Sequence, residues 1–112
     1  MIVSTYPDYY LDNNISLQRT YAYEPVPIDL PAEQEKYVVG VQGNMWGEVS
    51  TAMDLVDRYS FPRLSAIAEI GWTSRAARNF DDFSNRLTPL LRRLDLMDVK
   101  YGMPVSQKTA AN

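Results

Sequence analysis

Ile2, Val3, Ser4 and Thr5 form a β-branched run that predicts a short strand, ended by Pro7 and Asp8. A second run, Tyr37-Val38-Val39-Gly40-Val41-Gln42-Gly43, is almost continuously apolar, the pattern of a strand buried on both faces of a parallel sheet. Between them, residues 16–31 hold Pro25, Pro27 and Pro31. Each proline lacks an N–H and restricts its predecessor, so this stretch predicts a long loop with no more than a helical turn. Pro31 to Lys36 predicts another such turn. Downstream the period changes to that of helices. Ser50 or Thr51 can cap a short helix through Tyr59, and Pro62 can open a second that runs to about Thr73, with Leu64, Ile67, Ala68 and Gly71 on one small apolar face. Asn79 or Asp81 can cap a third, in which Phe80, Phe83, Leu87, Leu90, Leu91 and Leu94 repeat at helical spacing and Pro89 is expected to kink or divide the helix. After Tyr101-Gly102, residues 103–112 show no periodicity and are expected to fray.

Strand, loop, strand, helices is the order of βα units in a parallel α/β protein, but two strands are too few for one. They leave one face of Val39 and Val41 without a partner. The pattern is therefore incomplete, or it is completed by something else. A length of 112 residues allows one small domain or part of a larger one.

The chain has no Cys and no His, which removes Cys nucleophiles, Ser-His-Asp triads, disulfides and zinc sites of imidazole or thiolate. No metal or cofactor is expected. Against 11 Lys and Arg stand 14 Asp and Glu, with no basic stripe, so nucleic acid is not an expected partner. No run approaches the ~18 apolar residues of a membrane-spanning helix, and Met1-Ile2-Val3-Ser4 lacks the charged start and apolar core of a secretory leader. A membrane is likewise not an expected partner. Eight Tyr and two Trp direct attention to ligands with faces to stack on.

Two clusters follow the predicted strands, where α/β proteins place binding and catalytic groups. Tyr9-Tyr10-Leu11-Asp12 is one and Trp46-Gly47-Glu48 the other. Each pairs an aromatic group with a carboxylate two residues on, a spacing that in extended backbone turns both to one face. A ring face beside an acceptor suits a sugar, whose C–H face stacks while its hydroxyls donate. The structural alternatives are a core Trp46, a Glu48 that begins a solvated helix, a Tyr10 wedged between strands and an Asp12 in a turn. Strand alternation turns Tyr9 away from Tyr10. Arg63 and Glu69 are six positions apart and are read as pairing with other elements; Trp72 is expected to pack its helix end against the rest of the fold.

The segment Val38-Val39-Gly40-Val41-Gln42-Gly43-Asn44-Met45-Trp46-Gly47-Glu48, followed by Phe61-Pro62-Arg63-Leu64-Ser65-Ala66-Ile67-Ala68-Glu69-Ile70-Gly71-Trp72-Thr73, resembles the end of the catalytic barrel of family 20 glycoside hydrolases, the β-N-acetylhexosaminidases. Ile2-Val3-Ser4 leading to Tyr10-Leu11-Asp12 is similar to the family's preceding strand and its Y-x-D. The resemblance implies an α/β fold that is part of a TIM (β/α)₈ barrel of ~250 residues. Residues 1–102 would then form its last two βα units plus a C-terminal helix, with the rest of the barrel as their structural partner. It further implies that Tyr10 hydrogen-bonds the carbonyl oxygen of the substrate's 2-acetamido group and that Asp12 binds a sugar hydroxyl at position 6 or 4. Trp46 would wall the pocket, and Glu48 would accept from the 4-hydroxyl.

The family implies substrate-assisted retaining hydrolysis of glycans ending in N-acetylglucosamine or N-acetylgalactosamine, with an Asp-Glu pair on an earlier strand as the acetamido-orienting group and acid. This departs from the common two-carboxylate scheme. No Asp-Glu dipeptide occurs in this chain, so the 112 residues alone are expected not to hydrolyse such a substrate. Other readings are a non-catalytic N-acetyl-sugar-binding or interaction module and an inactive truncated product. The family suggests a secreted, periplasmic or lysosomal setting. Open parallel edges predict poor folding or self-association of the isolated chain.

Overall fold

A computed structural model describes residues 1–46 and 53–102. Ser50, Thr51 and the tail from residue 103 on lie outside the described residues, and so does Glu48.

Strands β1 (Ile2–Val3) and β2 (Gly40–Val41) pair in parallel, with Ile2 opposite Gly40 and Val3 opposite Val41. Both are shorter than the apolar runs that predict them. The chain after Val3 closes into turns, with Tyr9 N donating to Thr5 O and Tyr10 N to Pro7 O, while Tyr37 belongs to a 3₁₀ turn, Ala32–Tyr37. Nor is β2 buried on both faces: Val39 is exposed and Gly40 and Val41 half-buried, because β1 is its only strand neighbour among the described residues and a helix covers one side.

The expected loop of residues 16–31 begins with a true helix, α1 (Leu17–Ala22), capped by Ser16 Oγ accepting from Arg19 N at 3.1 Å. Leu17, Thr20 and Tyr21 line its buried face, and it stops ahead of Pro25. Helices α2 (Met53–Ser60) and α3 (Arg63–Trp72) lie close to the predicted spans, with Pro62 one position before the start of α3, but the buried face of α3 is Arg63, Ala66, Ile67 and Ile70: of the expected face only Ile67 is buried, Leu64 is half-buried, and Ala68 and Gly71 are exposed. In α4 (Phe80–Leu96) Asn79 is the cap, its side chain accepting from Asp82 N at 2.9 Å. Pro89 does not divide α4, which runs through it. The missing N–H leaves the carbonyl of Asn85 without a helical donor on a face open to solvent. At the other end Val99 N donates to Leu94 O and Asp98 N to Asp95 O, a Schellman closure that holds Asp98 at φ 58°.

Two apolar clusters flank α3. Leu17, Tyr21, Ala66, Phe83 and Leu87 join α1, α3 and α4, with Tyr21 stacked on Phe83 at 4.8 Å. Tyr9, Leu11, Ile67 and Ile70 form the other, under the two strands. Close approach of α3 to β2 uses two glycines: a Cβ on Gly71 would stand 3.0 Å from Val41 Cγ2, and one on Gly43 3.1 Å from both Leu64 and Ile67. Trp72 is 92% exposed, beside a groove lined by Val39, Val41, Leu64 and Ala68; its expected packing against the rest of the barrel falls on residues this chain does not contain.

Candidate functional site

Asn44 organises the loop beyond β1. Its N–H donates to Tyr9 O at 2.9 Å, its carbonyl accepts from Leu11 N at 2.7 Å, and its side chain donates to Ser4 Oγ and accepts from Gln42 Nε2 at 2.6 Å. These bonds set Tyr10 opposite Asn44 in an isolated parallel bridge, so the sheet register resumes where the candidate residues begin. Alternation about that bridge sends Tyr9 into the core, fully buried, and leaves Tyr10 half-buried on the other side. Burial pushes the Tyr9 hydroxyl well above the usual tyrosine range, so it stays a neutral core group.

Tyr10 meets Trp46 with ring centroids 5.7 Å apart and planes at 54°. Tyr6 approaches the Tyr10 ring edge-on at 5.3 Å. Three aromatic rings therefore adjoin beyond the C-terminal ends of the two strands, with Trp46 half open to solvent at 49%. Asp12 follows two residues after Tyr10. Its Oδ1 is buried and has no hydrogen-bond partner among the described residues. A buried carboxylate oxygen left without a donor is uncommon and suits a ligand that supplies one. Tyr10, Trp46 and Asp12 thus lie beyond the ends of adjacent strands, and the first two are in contact; Glu48 is outside the described residues.

Arg63 pairs with other elements, as expected. It is 8% exposed, at the start of α3, and its guanidinium donates to main-chain carbonyls of the loop that carries Tyr10 and Asp12. Burial pulls its pKa below the ordinary value, and the charges of Asp8 and Asp12 oppose that shift. A signal for it existed: Arg63, Ala66, Ile67 and Ile70 fall at i, i+3, i+4 and i+7, which places the arginine on the buried face. Glu69, six positions further along α3, accepts from the Tyr21 hydroxyl at 2.7 Å and pairs with Arg86 at 2.7 Å. Among the described residues no group of three or more Asp or Glu is placed to hold a metal ion.

Residues 2–75 match the family model described as glycosyl hydrolase family 20, catalytic domain. A β-hexosaminidase of Porphyromonas gingivalis is 39% identical over 92 residues, which cover 82% of this chain and 12% of that protein. A β-N-acetylhexosaminidase of Cellulomonas fimi is 35% identical over 74 residues, 66% of this chain and 15% of the relative. The crystal structure of a GH20 exo-β-N-acetylglucosaminidase from Vibrio harveyi, in complex with N-acetylglucosamine, superposes with a TM-score of 0.80 at 31% identity, covering 93% of this chain and 19% of that one. A β-N-acetylhexosaminidase from Bacteroides fragilis, at 20% identity and a TM-score of 0.75, shares the fold over the whole chain and 25% of its own. This chain thus spans 12% and 15% of the two curated relatives.

Proposed function

This chain belongs to glycosyl hydrolase family 20, a family of TIM-barrel glycosidases, and we propose that it forms the last two βα units of such a barrel with the helix that follows. In that place it supplies one side of a pocket for a terminal N-acetylhexosamine. The observation that carries this reading is the contact of Tyr10 with Trp46 at 5.7 Å, beyond the C-terminal ends of two parallel strands, the end at which TIM barrels hold their sites.

The chemistry follows from the side chains. Trp46 offers an apolar face to the sugar's C–H face, and Asp12 Oδ1 accepts from a hydroxyl at position 6 or 4 in place of an internal donor. Glu48 accepts from the 4-hydroxyl. The Tyr10 hydroxyl donates to the carbonyl oxygen of the 2-acetamido group and holds it in line with the anomeric carbon, so that the substrate's own oxygen is the nucleophile of a retaining hydrolysis. The acid that protonates the leaving oxygen comes from an Asp-Glu pair this chain does not contain. The 112 residues alone therefore supply binding and orientation without acid catalysis.

The test is a chimaera in which residues 1–102 replace the matched segment of the Vibrio harveyi enzyme. It is expected to hydrolyse 4-nitrophenyl N-acetyl-β-glucosaminide, whereas the 112-residue chain is not. A folded chimaera without activity, or turnover by the short chain above a Trp46→Ala control, would overturn the reading.

A further inference from the structure

Arg63 has five guanidinium N–H groups, and each has an acceptor. Nη1 donates to Leu11 O at 3.1 Å and Asn13 O at 2.8 Å, Nη2 to Asp8 O and Tyr10 O, both at 3.2 Å, and Nε to Thr20 Oγ1 at 3.2 Å. Thr20 Oγ1 itself donates to Asp8 O at 3.1 Å, and the Asp8 carboxylate accepts from Arg19 Nε at 2.8 Å. The carbonyl of Tyr9, which faces the other way, accepts from Asn44 N. The loop from Asp8 to Asn13 is thus held from α3 on one side and from the end of β2 on the other.

Filling a buried site with a cation is costly, and an apolar side chain would pack under a loop at lower cost. What the guanidinium adds is a planar fork that fixes four carbonyls at once, which neither lysine nor an apolar residue can do. Those carbonyls belong to residues 8, 10, 11 and 13, on either side of and between Tyr9 and Asp12. Because every donor is engaged by main chain or Thr20, none caps Asp12 Oδ1, although the Asp12 charge lies close enough to act on Arg63. The same arrangement fixes the backbone on both sides of Asp12 and leaves its buried oxygen without an internal donor.

We infer that Arg63 is a positioning residue of the sugar pocket: it fixes the loop so that the Tyr10 hydroxyl and the Asp12 carboxylate are presented together to the N-acetylhexosamine. The inference rests on the sugar-pocket reading above. It makes Arg63 responsible for catalytic geometry over and above its share in stability.

Arg63→Lys keeps the charge but loses the fork, and Leu94→Ala, which truncates a buried residue of α4 away from the loop, serves as a destabilised comparison. Amide exchange and steady-state hydrolysis are both read in the chimaera. Arg63→Lys is expected to speed exchange at Leu11 and Asn44, and to lower kcat at least about ten-fold, the scale of a misplaced catalytic contact. Leu94→Ala, at an equal or larger loss of Tm, is expected to keep kcat within about two-fold, since only loss of geometry lowers turnover of the folded enzyme. Methylguanidinium added to Arg63→Ala should restore part of kcat. Unchanged kcat and loop exchange in folded Arg63→Lys, or an equal loss of kcat in Leu94→Ala, overturns the inference. An inactive parent chimaera instead overturns the sugar-pocket reading on which it rests.

Discussion

The Tyr21 hydroxyl donates to Glu69 Oε2 at 2.7 Å and accepts from Asn79 N at 3.1 Å, tying α1 to α3 and to the start of α4 through one side chain. Tyr21 is also stacked on Phe83, so its ring and hydroxyl both serve the junction of three helices. Tyr21→Phe keeps the ring and removes both hydrogen bonds. It is expected to destabilise by about 1–3 kcal/mol, the range for a partly buried hydrogen bond to a charged acceptor, read as a lowered denaturation midpoint with an unchanged m-value.

Acid should weaken the same junction. Burial raises the pKa of Glu69, but hydrogen bonds from Arg86 and Tyr21 outweigh it and hold the carboxyl below its ordinary 4.5. At Glu24 burial likewise raises the pKa, and hydrogen bonds from Arg75, Val26 and Arg78 outweigh it, so that carboxyl too is held below 4.5. A carboxylate with a depressed folded pKa contributes stability that is complete above the unfolded value and is lost as pH falls through the folded one. Tm is therefore expected to drop as pH is lowered from just above 4.5 downwards. Glu69→Gln should flatten that drop; an identical pH profile in the variant would contradict the assignment.

Asp98 occupies the left-handed position of the α4 closure at φ 58°, which glycine adopts without penalty. Its ion pair with Lys100 spans exposed side chains and contributes little. Asp98→Gly is expected to raise stability by up to about 1 kcal/mol, and Asp98→Val to lower it, in thermal melts at fixed concentration.

The apolar groove beside β2 holds exposed Val39 and Trp72 next to a strand edge without a partner among the described residues. Such an edge is a template for further pairing. The isolated chain is expected to sediment as associated species, and Val39→Lys with Trp72→Lys to shift it towards monomer. A monodisperse monomer of the unaltered chain would count against this.

In the pocket we propose, Tyr10→Phe removes one donor and Trp46→Ala one wall. In the chimaera Tyr10→Phe should lower kcat by about 10²-fold or more, the scale for losing a donor at developing charge. Trp46→Ala should act mainly on KM. The reverse pattern would require the two roles to be exchanged.

Much of this was legible in the residues. The spacing of Phe80, Phe83, Leu87 and Leu94 fixes the face of α4, the pair Asn79 and Asp81 brackets its start, and strand alternation separates core Tyr9 from half-buried Tyr10. These are local properties, set by the periods of helix and strand and by the side chains that satisfy free backbone groups. The motifs around Trp46 and Tyr10-Leu11-Asp12 likewise pointed to the family that the comparisons bear out.

Tertiary structure decided the rest. α1 forms in a proline-rich stretch because Leu17 and Tyr21 find Ala66, Phe83 and Leu87, a gain six residues cannot supply alone. The strands end where their chains turn, and Val39 is exposed because burial depends on what lies opposite. Arg63 is the clearest case. Periodicity could place it on a buried face, but its carbonyl acceptors lie 50 to 55 positions earlier in the chain, and only folding brings the loop of Tyr10 and Asp12 within reach of its fork. Sequence set which side chains were available; the long-range packing of α3 against that loop decided which of them hold the site.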